Sequence, residues 1–408
     1  MTTILSKEKE TSIQLLEGKE IKIITQHWIR ILNINLGWIN DFNKLIVNYA
    51  TTVFIIDTFR SSSNLIKTFI GHTNNVCSID YSTFDGSQYL CSGSWDCTVR
   101  VWDVETAEQI RLFNGHSSQI ICVKFSPYHG MDNRSLTICS SSDDKTIRFW
   151  DFKTAKEFQV LNEHTDSVCG IEFSSFNNGR YLCSGSYDDT IRLWDVETFK
   201  TLHIFEHGDT VRCVEFSPLQ SNSKDKNNSI GVIGGNGYTI CSGTNNGVIH
   251  LWDVETTKQL ILFDAHKSWI RSIKYSPYEA NVICSGSDDK TVRLWDIRSN
   301  KEINVFKEHT NDVKAAEFSP FVSNNNSHSD GKSITNANII CSGSSDNTIR
   351  FWDIRANKQV HLIKGNDHED NGICSLTFLA LKNKAKDNCA CRVSLCYGSY
   401  KGPIRVWR

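Results

Sequence analysis

Leu182-Cys183-Ser184-Gly185-Ser186 is a run of small and apolar residues, and Thr190-Ile191-Arg192-Leu193-Trp194-Asp195 alternates apolar with polar. Alternation at a period of two is the signature of a half-buried strand. Between the two runs, Ser186-Tyr187-Asp188-Asp189 is turn material, because Asp and Ser side chains can bond their own backbone there. The pattern predicts two strands joined by a tight turn. It recurs along the chain: Leu90–Asp103, Ile138–Asp151, Ile283–Asp296 and Ile340–Asp353 are near copies, Ile240–Asp253 is looser, and Leu395–Trp407 is worn.

The closing tryptophans, Trp102, Trp150, Trp194, Trp252, Trp295, Trp352 and Trp407, fall about 43 to 58 residues apart, near the period of a four-stranded repeat unit. Ahead of each stands a histidine, after glycine in the first two units and a worn equivalent elsewhere: His72, His116, His164, His207, His266, His309 and His368. The excess length of the longer units lies between their first and second strands, at Tyr128–Ser135, Gln220–Tyr238, Phe321–Asn338 and Ala380–Arg392. The stretches around Ser221-Asn222-Ser223 and Asn324-Asn325-Asn326-Ser327 are polar and of low complexity, and are expected to be mobile.

Gly-His followed by Ser-Gly-Ser-x-Asp-x-Thr-[Ile/Val]-Arg-x-Trp-Asp resembles the WD40 repeat family, over residues 64 to 408. The resemblance implies an all-β fold, a seven-bladed propeller whose closing blade takes its outer strand from Asn64–Phe69. Closure leaves only short, protected sheet edges. The expected division is an N-terminal extension over 1–57 and a propeller over 58–408. In the extension, Ile21, Ile24, Trp28, Ile31 and Leu32 fall at helical spacing, and Asn40 or Asp41 can cap a second short helix. The rival is an eighth blade, since Thr52–Asp57 resembles Thr98–Asp103.

Composition narrows the function. A net charge of −2 gives no general pull toward nucleic acid or anionic lipid. No apolar run is long enough for a membrane span, and the first ten residues lack the apolar core of a secretory signal. The expectation is a cytoplasmic protein, with the nucleus an alternative setting. Of fifteen cysteines, Cys91, Cys139, Cys183, Cys241, Cys284, Cys341 and Cys396 recur at one strand position. Cys77, Cys122, Cys169, Cys213 and Cys374 recur in the strand after the histidine. A small, weakly polar side chain suits a crowded contact between blades. No paired C-x2-C suggests zinc, and Gly231–Gly237 lacks the ending of a phosphate loop. Neither metal nor cofactor is expected.

Histidine, serine, aspartate and tryptophan recurring together resemble catalytic equipment, but an active site is not built five times over. The family resemblance implies a structural network in five sets: His72, Ser92, Asp96 and Trp102; His116, Ser140, Asp144 and Trp150; His164, Ser184, Asp188 and Trp194; His266, Ser285, Asp289 and Trp295; His309, Ser342, Asp346 and Trp352. Two units depart and are expected to be held more loosely. Asn246 replaces the aspartate after His207, and Tyr397 and Lys401 replace serine and aspartate in the last unit.

The resemblance also implies three top-face positions per blade. Among the residues there, Trp95, Tyr187, Arg212, Trp269, Arg271, Asp288, Asp312 and Lys314 are the candidates for binding a partner, since aromatic residues and arginine most often anchor interfaces. Trp269, Arg271 and Arg212 are the first cluster, and Trp95 with Tyr187 a second. Trp-Asp-x-Arg endings at Arg298 and Arg355 resemble the motif by which some family members dock on a cullin-type ubiquitin ligase. The function implied is a non-catalytic scaffold for proteins or peptides, with the ligase substrate receptor as alternative. Nucleic acid, membrane and small-molecule substrate are not expected as partners.

Overall fold

The computed structural model describes Phe59 and residues 63–130, 136–217, 238–277, 281–319, 339–380 and 393–408. Among them the strands form seven four-stranded antiparallel sheets. Blade 3 shows the plan. Val168–Phe173 pairs with Tyr181–Ser186, then with Thr190–Asp195, then with Lys200–Glu206. The turn predicted at Ser186–Asp189 joins the second and third strands, with Ser186 still in the second strand and Asp189 at φ 64°. Its companions run through Val76–Asn114 (blade 1), Ile120–Leu161 (2), Val211–Asp264 (4), Ile270–Phe306 (5) and Val313–Lys364 (6).

Blade 7 contains Ile373–Ala380, Val393–Ser399 and Ile404–Trp407, and Leu65–Phe69 is its outer strand. Leu65 pairs with Trp407 and Phe69 with Ile404, so the two ends of the repeat array are joined in one sheet. First strands neighbour one another round the ring, and Ile373–Ala380 lies against Val76–Phe84. The ring therefore closes at seven blades, and the eight-blade alternative is excluded. The expected N-terminal helices lie outside the described residues, as do 131–135, 218–237, 320–338 and 381–392 from the long connections.

The core sits between blades. One cluster joins Cys91, Val99, Val101 and Phe113 of blade 1 to Ile120, Val123, Ile138 and Trp150 of blade 2. The glycine of Ser-Gly-Ser suits this closeness in the blades that carry it, while blade 2 has Ser141 at the same register. A Cβ on Gly93 would stand 2.6 Å from Val123 Cγ1, and one on Gly185 would stand 2.6 Å from Val211 Cγ1. A small residue there lets the neighbouring first strand pack at native density.

Candidate functional site

Five blades carry the same hydrogen-bonded chain. In blade 1 the Trp102 indole N–H donates to Ser92 Oγ at 2.8 Å, and Ser92 Oγ lies 2.8 Å from His72 Nε2. His72 Nδ1 lies 2.8 Å from Asp96 Oδ2, which also accepts from the Thr73 amide. The order of donors fixes the tautomer: serine gives its hydrogen to Nε2, so Nδ1 carries the proton toward the carboxylate. Burial lowers the His72 pKa against the pull of Asp96, favouring the neutral ring this chain needs. Asp96 is itself held well below the usual carboxylate range, because its bonds to His72 and Thr98 outweigh its burial. The other predicted sets repeat this geometry: His116, Ser140, Asp144 and Trp150; His164, Ser184, Asp188 and Trp194; His266, Ser285, Asp289 and Trp295; His309, Ser342, Asp346 and Trp352.

The two departing units differ from each other. In blade 4 the Trp252 N–H donates to His207 Nε2 at 2.8 Å, the atom that also meets Ser242 Oγ, while buried His207 Nδ1 has no hydrogen-bond partner among the described residues. Burial beside His250 lowers the His207 pKa to about 3. The link between loop and turn is reversed, with Asp209 on the loop accepting from the Asn246 amide. Blade 7 corrects the expectation of a loose blade. Tyr397 donates to Asp370 Oδ2 at 3.0 Å, Arg405 Nε donates to Asp370 Oδ1 at 2.8 Å, and Arg405 also pairs with Glu369. All three central residues are buried, so an ion pair has replaced the histidine chain.

The cysteines also need correction. Cys91 and its equivalents pack between blades as expected, but the second set lines the central channel, an opening of 330 Å³ walled by the first strands. That set occupies two levels. Cys77, Cys169 and Cys374 share the level of Arg212, Arg271 and Lys314, and Cys122 and Cys213 lie one residue further along their strands. Burial pushes the Cys77 and Cys213 thiols up to about 12, which leaves them protonated and poor nucleophiles. Among the described residues no group of three His, Cys, Asp or Glu could hold a metal ion.

A feature sequence reasoning missed lies deeper in the channel. Asp80, Lys124, Glu172, Glu215, Lys274, Glu317 and Thr377 share one register position, each opposite the cysteine of its blade's second strand. Lys124 Nζ lies 2.6 Å from Glu172, and Lys274 Nζ lies 3.3 Å from Glu172 and 2.6 Å from Glu215. Burial pushes the Glu317 carboxyl up to about 7 despite the pull of Lys274 and Lys124. The signal was available: each of these residues stands immediately before an aromatic residue in its first strand.

At the channel's top, the geometry of the candidate positions is regular. The amide of the residue before the turn aspartate donates to the carbonyl three residues past the histidine: Trp95 to Asn75, Asp143 to Gln119, Tyr187 to Ser167, Asn245 to Thr210, Asp288 to Trp269 and Ser345 to Asp312. In blade 7 the same bond runs from Tyr400 to Gly372. Tyr400 is thus a top-face residue that the sequence reading passed over, and the same offset applied to the last repeat would have found it. Its hydroxyl lies 2.8 Å from Ser345 Oγ.

Side chains link four adjacent blades into one cluster. The Arg212 guanidinium lies 5.1 Å from the Tyr187 ring and 5.4 Å from the Trp269 ring, and Arg271 lies 4.7 Å from Trp269. Arg271 Nε donates to Asp288 at 2.9 Å, and Lys314 Nζ bridges Asp288 at 3.1 Å and Asp312 at 2.8 Å. Tyr187 therefore belongs with Arg212 and Trp269, not with Trp95, which lines the mouth from blade 1. Trp269 and Trp95 remain 39% and 37% exposed. Arg298 and Arg355 sit apart from this surface. They are exposed in the turns beyond the third strands of blades 5 and 6, with their amides bonded to Asp296 and Asp353.

The comparisons agree with this architecture. The model of the WD40 family, described as WD domain, G-beta repeat, matches residues 63–103, 107–151, 155–195, 199–253, 257–296 and 300–353. The chain is 39% identical over 72 residues to the mouse (Mus musculus) peroxisomal targeting signal 2 receptor, covering 18% of this chain and 22% of that protein. It is 32% identical over 89 residues to WD repeat-containing protein 82 of Drosophila melanogaster, covering 21% and 27%. It is 40% identical over 58 residues to a guanine nucleotide-binding protein subunit beta of Oryza sativa subsp. japonica, covering 14% and 15%. Each alignment spans less than a third of the relative's length. Six family matches, seven closed blades and five histidine–aspartate chains place this protein in the WD40-repeat family.

Proposed function

We propose that this chain is a non-catalytic scaffold that binds segments of other proteins across the top of its propeller. The observation that carries the reading is the cluster of Tyr187, Arg212, Trp269, Arg271, Asp288 and Lys314, which spans blades 3 to 6 at the channel mouth. It combines exposed aromatic surface with cations held in place by stacking and ion pairs, the composition of an interface anchor. The histidine, serine and aspartate groups that could suggest catalysis are spent on holding strands together. The names of the relatives, a targeting-signal receptor and a subunit of a larger assembly, support the same reading. A cytoplasmic setting, where the thiols stay reduced, goes with it.

The ligase-receptor alternative rests on the exposure of Arg298 and Arg355 on adjacent blades. They lie a strand length, about 20 Å, from the turn aspartates at the top. Co-precipitation of the full chain, read by mass spectrometry, separates the two. Trp269→Ala and Arg271→Ala are expected to weaken the main partner about thirtyfold, the effect of losing an anchor worth about 2 kcal/mol. Arg298→Ala with Arg355→Ala should leave that partner in place. Loss with the Arg298 and Arg355 pair alone would favour the ligase reading. Thermal melts confirm that each variant is folded.

A further inference from the structure

Three cations stand side by side at one level of the channel mouth: Arg212, Arg271 and Lys314 on blades 4, 5 and 6. Two are already neutralised from within the chain. Arg271 pairs with Asp288 through Nε and Nη2, and Lys314 bonds both Asp288 and Asp312. Arg212 is different. Its Nη1 reaches the Tyr187 hydroxyl and, at 3.7 Å, Cys169 Sγ, while Nε and Nη2 meet no acceptor among the described residues. No carboxylate lies within ion-pair distance of it there.

Two features make this guanidinium a prepared site. The rings of Tyr187 and Trp269 both lie against it, which restricts its rotation and reduces the entropy lost on binding. The Nε–Nη2 edge left open is one of the two edges that grip a planar carboxylate through parallel hydrogen bonds. We propose that Arg212 binds one carboxylate, an aspartate or glutamate side chain or a chain terminus, in the segment that docks on the top face. Phosphate fits less well. A dianion calls for more than one free cation, and Arg271 and Lys314 are committed to Asp288 and Asp312. The proposal rests on the top-face reading and adds the chemistry of the occupant.

The test uses an array of synthetic peptides probed with the full chain, each peptide present with Glu, Gln or phosphoserine at its acidic position. Retained peptides are expected to lose about tenfold or more when Glu becomes Gln. With Arg212→Gln the Glu and Gln forms should bind alike, and Arg212→Lys, which keeps the charge and loses the fork, should recover little. Phosphoserine forms outranking Glu forms, with loss on Arg212→Gln, would overturn the carboxylate assignment. Peptides that depend on Trp269 but do not distinguish Glu from Gln would sink the proposal and leave the top-face reading standing. If no peptide is retained through either Trp269 or Arg212, both fall. Thermal melts check that each Arg212 variant is folded, since both changes also remove the guanidinium's contacts with Tyr187 and Trp269.

Discussion

Arg405 Nε donates to Asp370 Oδ1 at 2.8 Å inside blade 7, and this pair stands where five other blades have histidine and aspartate. The bond spans the blade that joins the two ends of the array, and Arg405 also donates to Thr68 on the N-terminal strand at 3.3 Å. Loss of Asp370 leaves the buried Arg405 guanidinium with only the exposed Glu369 as counter-ion and the buried Tyr397 hydroxyl without this acceptor. Asp370→Ala is therefore expected to cost about 3–5 kcal/mol. Urea unfolding should show a much earlier midpoint, with proteolysis of the N-terminal strand appearing first. A midpoint within error of the parent would show that the pair does not hold the closure.

The histidine chains predict a smaller loss. Asp188→Ala leaves His164 Nδ1, the Thr190 hydroxyl and the Thr165 amide without their acceptor. The expected cost is about 1–3 kcal/mol, again read from a urea midpoint. Asn246→Ala in blade 4 should cost less than Asp188→Ala, since His207 does not use that side chain. Equal losses would contradict the difference drawn between the two blades.

Packing between blades predicts a steric effect. Gly185→Ala places a methyl group 2.6 Å from Val211 Cγ1 and 3.0 Å from Val214 Cγ1. Overpacking of this kind costs about 1–3 kcal/mol. Combining it with Val211→Ala should cost less than the sum of the two single changes, because the second makes room for the first. Strict additivity in thermal melts would mean that the blades do not meet at this glycine.

The channel predicts a pH dependence. Burial raises the Glu317 carboxyl from an ordinary 4.5 to about 7, so the folded state holds a proton that the unfolded chain has released. The contribution of this group is complete below about pH 4.5 and declines as pH rises toward 7. Glu317→Gln removes that decline. Relative to the parent, the variant's thermal midpoint should be unchanged near pH 4.5 and should rise progressively up to pH 8. A constant difference across this range would mean that Glu317 does not titrate in the folded protein.

The sequence alone determined the repeat, and the family resemblance it carries implied seven blades, the outer strand lent by Asn64–Phe69 and the members of five histidine chains. These are set by local patterns copied many times: a period of two along each strand, a fixed offset from histidine to tryptophan, and a glycine where the next blade approaches. Tertiary structure decided the rest. Arg405 and Asp370 are 35 residues apart, and Lys274 and Glu172 are 102 apart. The repeat pattern gave the register of Lys274 and Glu172 but not their meeting across the ring. Tyr187 was legible as a top-face residue, yet only the placement of blades 3, 4 and 5 showed that it shares Arg212 with Trp269. Backbone position follows from a repeating local code, whereas charge pairing depends on which long side chains the closed ring brings within reach.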